Sequence, residues 1–267
     1  PNAIGIYLLA KEAKKSLKVL LSGEGADEIF GGYDRYNPAR IFSKFGIIGQ
    51  AINNFRSKKM KRDGNDLESL LVCLSSRSKE SEIKKIFKDF KLSRAINSRL
   101  KILKQEMSGS TFEKFLNYEQ KTYLNELLLR QDKMCMAHGI ENRVPFLDHR
   151  IAEFSKNISS NHKTRLNLMP RKFRLNNSTK PILKNISTDY FGNEFTYRNK
   201  LGFNMPLNEV LNNVVNRDYF VSLIDEANKL DNIDIDIDRI KSINNDQSNF
   251  MWSILALGAW SKVHRDF

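Results

Sequence analysis

The sequence predicts an α/β fold in which helices far outnumber strands. Two observations carry this. The first 30 residues run helix, short apolar strand, glycine turn, helix, the order of a parallel α/β sheet with ligands at the carboxyl ends of its strands. After Tyr36 the apolar residues recur mostly at helical spacing.

Each element has a local reason. Asn2 to Ser16 reads as a helix: Asn2 can cap it, and Ile4, Tyr7, Leu8 and Ala10 share an apolar side. Lys18 to Ser22 reads as a short buried strand. It runs into Gly23-Glu24-Gly25, and a second helical segment follows. One strand cannot make a sheet, so its partners are expected before Pro1, and the chain is expected to be incomplete on that side. A first residue that is not Met agrees with a fragment or a processed chain. Leu67 to Leu74 and Glu82 to Phe90 have helix-like spacing. Thr111 to Ala137 reads as one long helix, with Phe112, Phe115, Leu116, Tyr123, Leu127 and Leu128 recurring at three- and four-residue steps and Gly139 interrupting it. Asp148 to Asn157 is a further short helix. Residues 160 to 206 read as mixed and loop-rich, punctuated by Pro170, Pro181, Gly192, Gly202 and Pro206. Ile233, Ile235 and Ile237 alternate with aspartates, as a short strand or a helix entry. Phe250 to Val263 reads as a closing helix with Trp252, Leu255 and Ala259 on one side.

Composition narrows the function classes. The 267 residues are 40% apolar and carry a formal charge of +13. From Arg35 to Lys104 there are 18 Lys and Arg against 6 Asp and Glu. Such a stretch could attract nucleic acid or an anionic membrane. No nucleic-acid motif or row of aromatics accompanies it, so a solvated face of Lys-rich helices is the simpler reading. No leader precedes an apolar run, and no segment is apolar enough to span a bilayer. Two cysteines, Cys73 and Cys135, exclude a disulfide scaffold and suit a reducing compartment. Cys135 and His138 have a ligand-like gap without a second pair, and a small buried thiol is the simpler account.

Three stretches carry chemistry. The first is Ser22-Gly23-Glu24-Gly25-Ala26-Asp27-Glu28-Ile29-Phe30-Gly31-Gly32-Tyr33. Gly23 and Gly25 let backbone N–H groups approach a ligand closely. Asp27 beside a polyphosphate would need a cation between them, which suggests Mg²⁺ held by few carboxylates plus phosphate oxygens. A helix N-terminus with carboxylates matched to its dipole explains the same residues. The second is Arg130-Gln131-Asp132-Lys133-Met134 with His138 to Asp148. Charges among apolar residues need partners, so Glu141–Arg143 or Asp132–Arg143 pairs are expected. These can serve a structural network or a substrate. The third is Tyr197 to Pro206, where Lys200 on a Gly/Pro-bounded loop could close over phosphate charge or be one more exposed lysine.

In this order the three stretches resemble the asparagine synthetase family, glutamine-hydrolysing type. The resemblance covers most of the chain and is strongest at 18–36, 123–154 and 179–206. It implies that residues 1–267 are the C-terminal part of a synthetase domain of the adenine-nucleotide α-hydrolase-like, PP-loop ATP pyrophosphatase type, with the first sheet strands missing. The family's Ser-Gly-Gly-x-Asp-Ser loop is absent from the sequence, as is the N-terminal glutaminase domain that releases ammonia from glutamine. The implied reaction is adenylation of the aspartate side chain by MgATP, then attack of ammonia on the β-aspartyl-adenylate to give asparagine and AMP. The resemblance also implies the roles. Ser22, Gly23, Glu24 and Gly25 would contact the nucleotide. Glu24 would lie beside the reacting centre, Asp27 would help hold Mg²⁺ and pyrophosphate, and Lys200 would stabilise charge at the acyl-phosphate. Arg130, Asp132, Glu141 and Arg143 would line or brace the acidic substrate. ATP use without an export signal implies a cytoplasmic protein, and a homodimer stays open. This chain alone is expected to bind ATP poorly and to synthesise nothing. The alternatives are a relative acting on another carboxylate, such as a surface-polysaccharide sugar, a β-lactam or a peptide, and a non-catalytic basic binding module. Glu24 fits ammonia-using members better than ring-closing ones.

Overall fold

The computed structural model describes residues 2–56, 71–72, 74–76, 83, 92–105, 109–166, 168, 179–199, 205–206, 209, 217–230, 233, 235 and 248–264. The chain divides into two compact units, one of Ala3–Ser75 and Arg99–Gly202, the other of Pro1–Asn2, Ser76–Ser98 and Phe203–Phe267.

The first unit begins with α1 (Asn2–Ala13) and β1 (Val19–Leu21). Asn2, expected as a cap, is already helical. A turn leads to α2 (Ala26–Phe30) and then to α3 (Asn37–Arg56), which is kinked at Gly46 (φ 54°, ψ −130°). After α4 (Leu92–Gln105), of which this unit holds the part from Arg99 on, α5 spans Thr111–Lys121 and α6 spans Tyr123–Met136. The long helix expected over 111–137 is therefore two. Thr122, at φ −111° and ψ −72°, divides them, and its hydroxyl donates to the Tyr118 carbonyl at 2.8 Å. Back-bonding of this kind bends helices without help from Gly or Pro. Ser110 caps α5 in a capping box with Glu113, which satisfies two otherwise unpaired N–H groups.

β2 (Glu141–Arg143) follows, then α7 (His149–Asn157), capped by Asp148, and α8 (Ser160–Lys163). The last helix of this unit is α9 (Pro181–Tyr197). It lies where loops were expected. Pro181 starts it, as proline does well at the first helical position. Gly192 breaks its regularity at φ 76° and ψ 172°.

β1 and β2 are parallel, with Val19 opposite Glu141, Leu20 opposite Asn142 and Leu21 opposite Arg143. The parallel α/β character is thus present, and among the described residues β1 has a sheet partner 122 residues downstream. β1 is not buried as expected. Leu21 is 72% exposed, and Val19 is also exposed. Among the described residues β1 has one neighbouring strand, and of its three residues Leu20 faces the apolar cluster of Ile6, Ala10, Cys135 and Ile140.

The main core of this unit gathers Tyr36, Ala39, Leu71, Val72, Leu103, Phe112, Phe115, Leu116 and Tyr118. Tyr36 meets Phe112 and Phe115 edge-on, with ring centroids 6.2 and 5.5 Å apart. Each aromatic buried here contributes roughly 1.5–3 kcal/mol from desolvation alone. Cys135 is a buried thiol, and His138 packs against the Tyr7 ring at 4.2 Å between centroids.

The second unit is built on α10 (Arg217–Asn228) against α11 (Ser248–Val263). Ile224, Ala227, Ile235, Phe250 and Ile254 form its core. Gly258 lets the two helices touch: a Cβ there would stand 1.8 Å from the Leu223 carbonyl oxygen. The side of α11 facing this core carries Phe250 and Ile254, while the expected Trp252 is only half-buried. Asn228 closes the loop after α10, donating to the Ile235 carbonyl and accepting from its N–H. Ile237 and nearly all of 57–90 lie outside the described residues. Among the described residues no helix is long and apolar enough to cross a membrane.

Candidate functional site

The glycine–acid turn sits at the carboxyl end of β1, and β2 runs alongside. Ser22 continues the ladder: its N–H donates to the Arg143 carbonyl at 2.9 Å. Asn142 Nδ2 donates to Ser22 Oγ at 3.4 Å. Two stretches read separately from the sequence are therefore neighbours. Gly23 is exposed, and an added Cβ would meet nothing within 4 Å. Gly25 is the reverse case. It takes φ 87° at the start of α2, and a Cβ would stand 2.3 Å from Leu147 Cδ2. Only glycine satisfies both conditions, so the Pro145–Leu147 turn docks directly on the backbone of the first stretch.

Asp27 and Glu28 are adjacent but face different surroundings. Asp27 Oδ1 lies 2.6 Å from Lys180 Nζ, and both side chains are about four-fifths buried. The chain makes room for this carboxylate at Gly32, where a Cβ would stand 1.7 Å from Asp27 Oδ1. Gly32 N–H also donates to the Asp27 carbonyl at 2.8 Å. Lys180 itself takes φ 50° and ψ 45°, unlike every other non-glycine residue among those described. Its N–H donates to the Lys163 carbonyl, and Thr164 pairs with Thr179 in an antiparallel bridge. Buried Thr164 donates to the Gly31 carbonyl at 2.6 Å. The 163–164 and 179–180 segments thus clamp the end of α2 and deliver the lysine to Asp27.

Glu28 points into the core at 1% exposure. Burial pushes its carboxyl above the usual range, despite a 2.6 Å hydrogen bond donated by the Tyr33 hydroxyl. The nearby charges of Asp27 and Glu24 push in the same direction as burial. Tyr33 is held protonated by burial and by Glu28. Arg35 stacks over Tyr33 and Tyr123, 4.2 and 4.5 Å from their centroids, and its Nε donates to Glu119 at 2.8 Å. Burial also raises the Glu119 carboxyl, against the pull of Arg35. This polar layer lies behind α2 and holds it to α5. Gln120 adds a hydrogen bond to the Glu28 carbonyl.

Not every expected residue joins the turn. Glu141 and Arg143 do pair, at 2.7 Å, but in the open, with side chains more than half exposed. The pair therefore contributes little to stability. Asp132 is exposed on α6, and Arg130 Nε is buried and hydrogen-bonded to no described residue. Lys200 lies outside the described residues. Lys180 and Thr164 were not singled out by sequence, and Gly32 and Asn142 stood within the first two stretches without a role of their own. Lys180 carried one signal: a cation directly before Pro181 sits at a helix N-terminus, where the macrodipole disfavours positive charge. A partner such as Asp27 offsets that.

The turn carries two carboxylates, Glu24 and the Lys180-paired Asp27, and no group of three potential metal ligands occurs among the described residues. That fits an ion held mostly by substrate oxygens and does not fit an all-protein cage.

Comparison with known proteins adds the family. Asparagine synthetase [glutamine-hydrolyzing] 1 of Bacillus subtilis is 28% identical to this chain, over 99% of this chain and 43% of that protein. A putative glutamine-hydrolysing asparagine synthetase of Mycobacterium tuberculosis is 23% identical, over 98% and 42%. Amidase chry2 of Gibberella zeae is 25% identical, over 70% and 33%. The chain thus spans less than half the length of these relatives. No solved structure is significantly similar to it. The asparagine synthase family matches residues 1–262, nearly the whole sequence, and with the two motif stretches paired side by side the chain belongs to that family.

Proposed function

We propose that this chain is the C-terminal part of a PP-loop-type synthetase domain that makes asparagine from aspartate, ATP and glutamine-derived ammonia, through a β-aspartyl-adenylate. The observation that carries the reading is the pairing of Ser22 with β2, which sets the glycine–acid turn beside the Glu141–Asp148 stretch at the carboxyl ends of parallel strands. Ligands of α/β sheets bind at that end.

The chemistry follows from what a carboxylate lacks. It is a poor acyl donor, and transfer of AMP supplies the leaving group. Gly23 leaves the backbone open to nucleotide phosphates, with Ser22 and Gly25 flanking it. Glu24, on the same turn, would lie beside the reacting centre and help adenylation or amine attack. Asp27 would hold Mg²⁺, which when bound neutralises phosphate charge. Lys180, already at Asp27, keeps a compensating cation at the turn. Lys200 would stabilise the acyl-phosphate centre, and Arg130, Asp132, Glu141 and Arg143 would brace the acidic substrate.

The B. subtilis and M. tuberculosis relatives support asparagine as product. The likeness to Amidase chry2 supports a second reading within the same chemistry, amidation of another carboxylate. Assay of AMP, pyrophosphate and amide product, with aspartate supplied or omitted and ammonia present, separates them. The 267-residue chain is tested first, then the same chain joined to any sequence encoded in frame before Pro1. The proposal expects aspartate-dependent AMP from the joined protein and none from the chain alone. AMP formation by neither sinks the proposal. Robust metal-dependent ATP turnover by the chain alone removes the need for further sequence.

A further inference from the structure

A cavity of about 620 Å³ opens between α5 and the α7–α8 segment, and none of its lining residues belongs to the glycine–acid turn. That volume lies within the range of small-molecule sites. Its polar lining comes from Glu113, Asn117, Gln120, Lys121, Lys156 and Lys163. Lys163 is the unusual member. It is 4% exposed, and its ammonium has no hydrogen-bond or ion-pair partner among the described residues.

A buried cation without a hydrogen-bonded counter-charge is costly. Burial pushes the Lys163 ammonium below its ordinary pKa, and the nearby Glu113 charge only partly opposes this. Glu113 is already engaged: its Oε2 accepts from both the N–H and the hydroxyl of Ser110 at 2.7 and 2.9 Å. Lys156 and Lys163 against one engaged carboxylate leave the cavity positively charged. Lys121 and Lys156 are exposed, and Asn117 and Gln120 add amide groups. A low-dielectric wall strengthens the attraction of such a cation for an anion.

We propose that this cavity binds a small oxyanion-bearing solute, a phosphate or a carboxylate, with Lys163 as its buried cation and Lys156 as its outer one. The site does not depend on the proposed synthetase chemistry. It is tied to the rest of the fold through the backbone, since the Lys163 carbonyl accepts the N–H of Lys180.

The test is calorimetric titration of the full 267-residue chain with inorganic phosphate and with malonate, against sodium chloride of equal ionic strength. Saturable heat with phosphate, malonate or both, absent with chloride, supports the site, and the better ligand identifies the class. Lys163→Met should weaken binding at least about tenfold. Lys156→Gln, at an exposed position where folding is not at stake, should weaken it by about two- to fivefold. Lys180→Met, which removes the cation at the glycine–acid turn, should leave it unchanged. Chloride matching both anions overturns the proposal. So does unchanged affinity in folded Lys163→Met, or in Lys156→Gln should Lys163→Met fail to fold. Loss of binding in Lys180→Met alone would place the anion at the turn and overturn it equally.

Discussion

Lys180 Nζ reaches Asp27 Oδ1 at 2.6 Å across 153 positions of sequence, from the N-cap of one helix to the first turn of another. The pair is about four-fifths buried, so removing one partner leaves a charge poorly solvated. Lys180→Met and Asp27→Asn should each destabilise the chain by about 1–3 kcal/mol. The double variant should cost clearly less than the sum. Urea unfolding of the four proteins gives the coupling energy. A coupling near zero would mean the contact does not hold in solution.

The backbone at Lys180 allows a second, separate test. A non-glycine residue in the left-handed region costs about 1–2 kcal/mol. Lys180→Ala and Lys180→Gly both lose the ammonium, but only glycine relieves the conformation at φ 50°. Lys180→Gly should therefore be more stable than Lys180→Ala by about 1 kcal/mol. Equal stabilities would show that the residue leaves this conformation once the ion pair is gone.

Gly32 should tolerate no side chain. A methyl group would stand 1.7 Å from Asp27 Oδ1 and 2.9 Å from its Cα, so rotation of the carboxylate alone does not clear it. Gly32→Ala should cost about 1–3 kcal/mol, the scale of overpacking. It should also abolish the coupling between Asp27 and Lys180. Retained coupling in a Gly32→Ala background would show that the turn adjusts in another way.

What the sequence revealed and what it hid have physical reasons. β1 and the turn were legible because an apolar run ending in two glycines has few alternatives. β2 was not: Glu141-Asn142-Arg143 has no strand propensity, and it is extended because Leu20 and Ser22 offer it a ladder. Pro181 looked like punctuation because proline ends helices as readily as it starts them. The break at Thr122 had no glycine or proline to mark it. The site divided likewise. Gly25 and Asp27 stood out by type and spacing, whereas Lys180 was one lysine among many until the fold placed it against Asp27.

Glu28 predicts a pH dependence. Its folded-state carboxyl titrates above the ordinary value because burial disfavours the charge. The folded protein therefore binds the proton more tightly than the unfolded chain. The stability this gives is fully present below the unfolded pKa and is lost as pH rises through the folded one. Glu28→Gln keeps an acceptor for the Tyr33 hydroxyl and removes the titration. Its stability relative to the parent should rise between pH 4.5 and neutrality. Parallel unfolding curves at both pH values, with no change in the difference, would place the Glu28 carboxyl in water.

Arg35 and Glu119 supply the last prediction. Glu119 is fully buried, and Arg35 is its donor, with its guanidinium carbon near the rings of both Tyr33 and Tyr123. Arg35→Met would remove the guanidinium, its stacking and the carboxylate's counter-charge together. A loss of about 3–5 kcal/mol is expected, the cost of stranding a buried charge. Adding Glu119→Leu to that background should recover part of it, since an apolar pair leaves nothing unsolvated. Because this layer holds α2 to α5 behind the glycine–acid turn, Arg35→Met should also weaken the Asp27–Lys180 coupling. If Arg35→Met alone proves harmless, the layer is wet in solution and the rigidity of the turn comes from Thr164 and Gly31 instead.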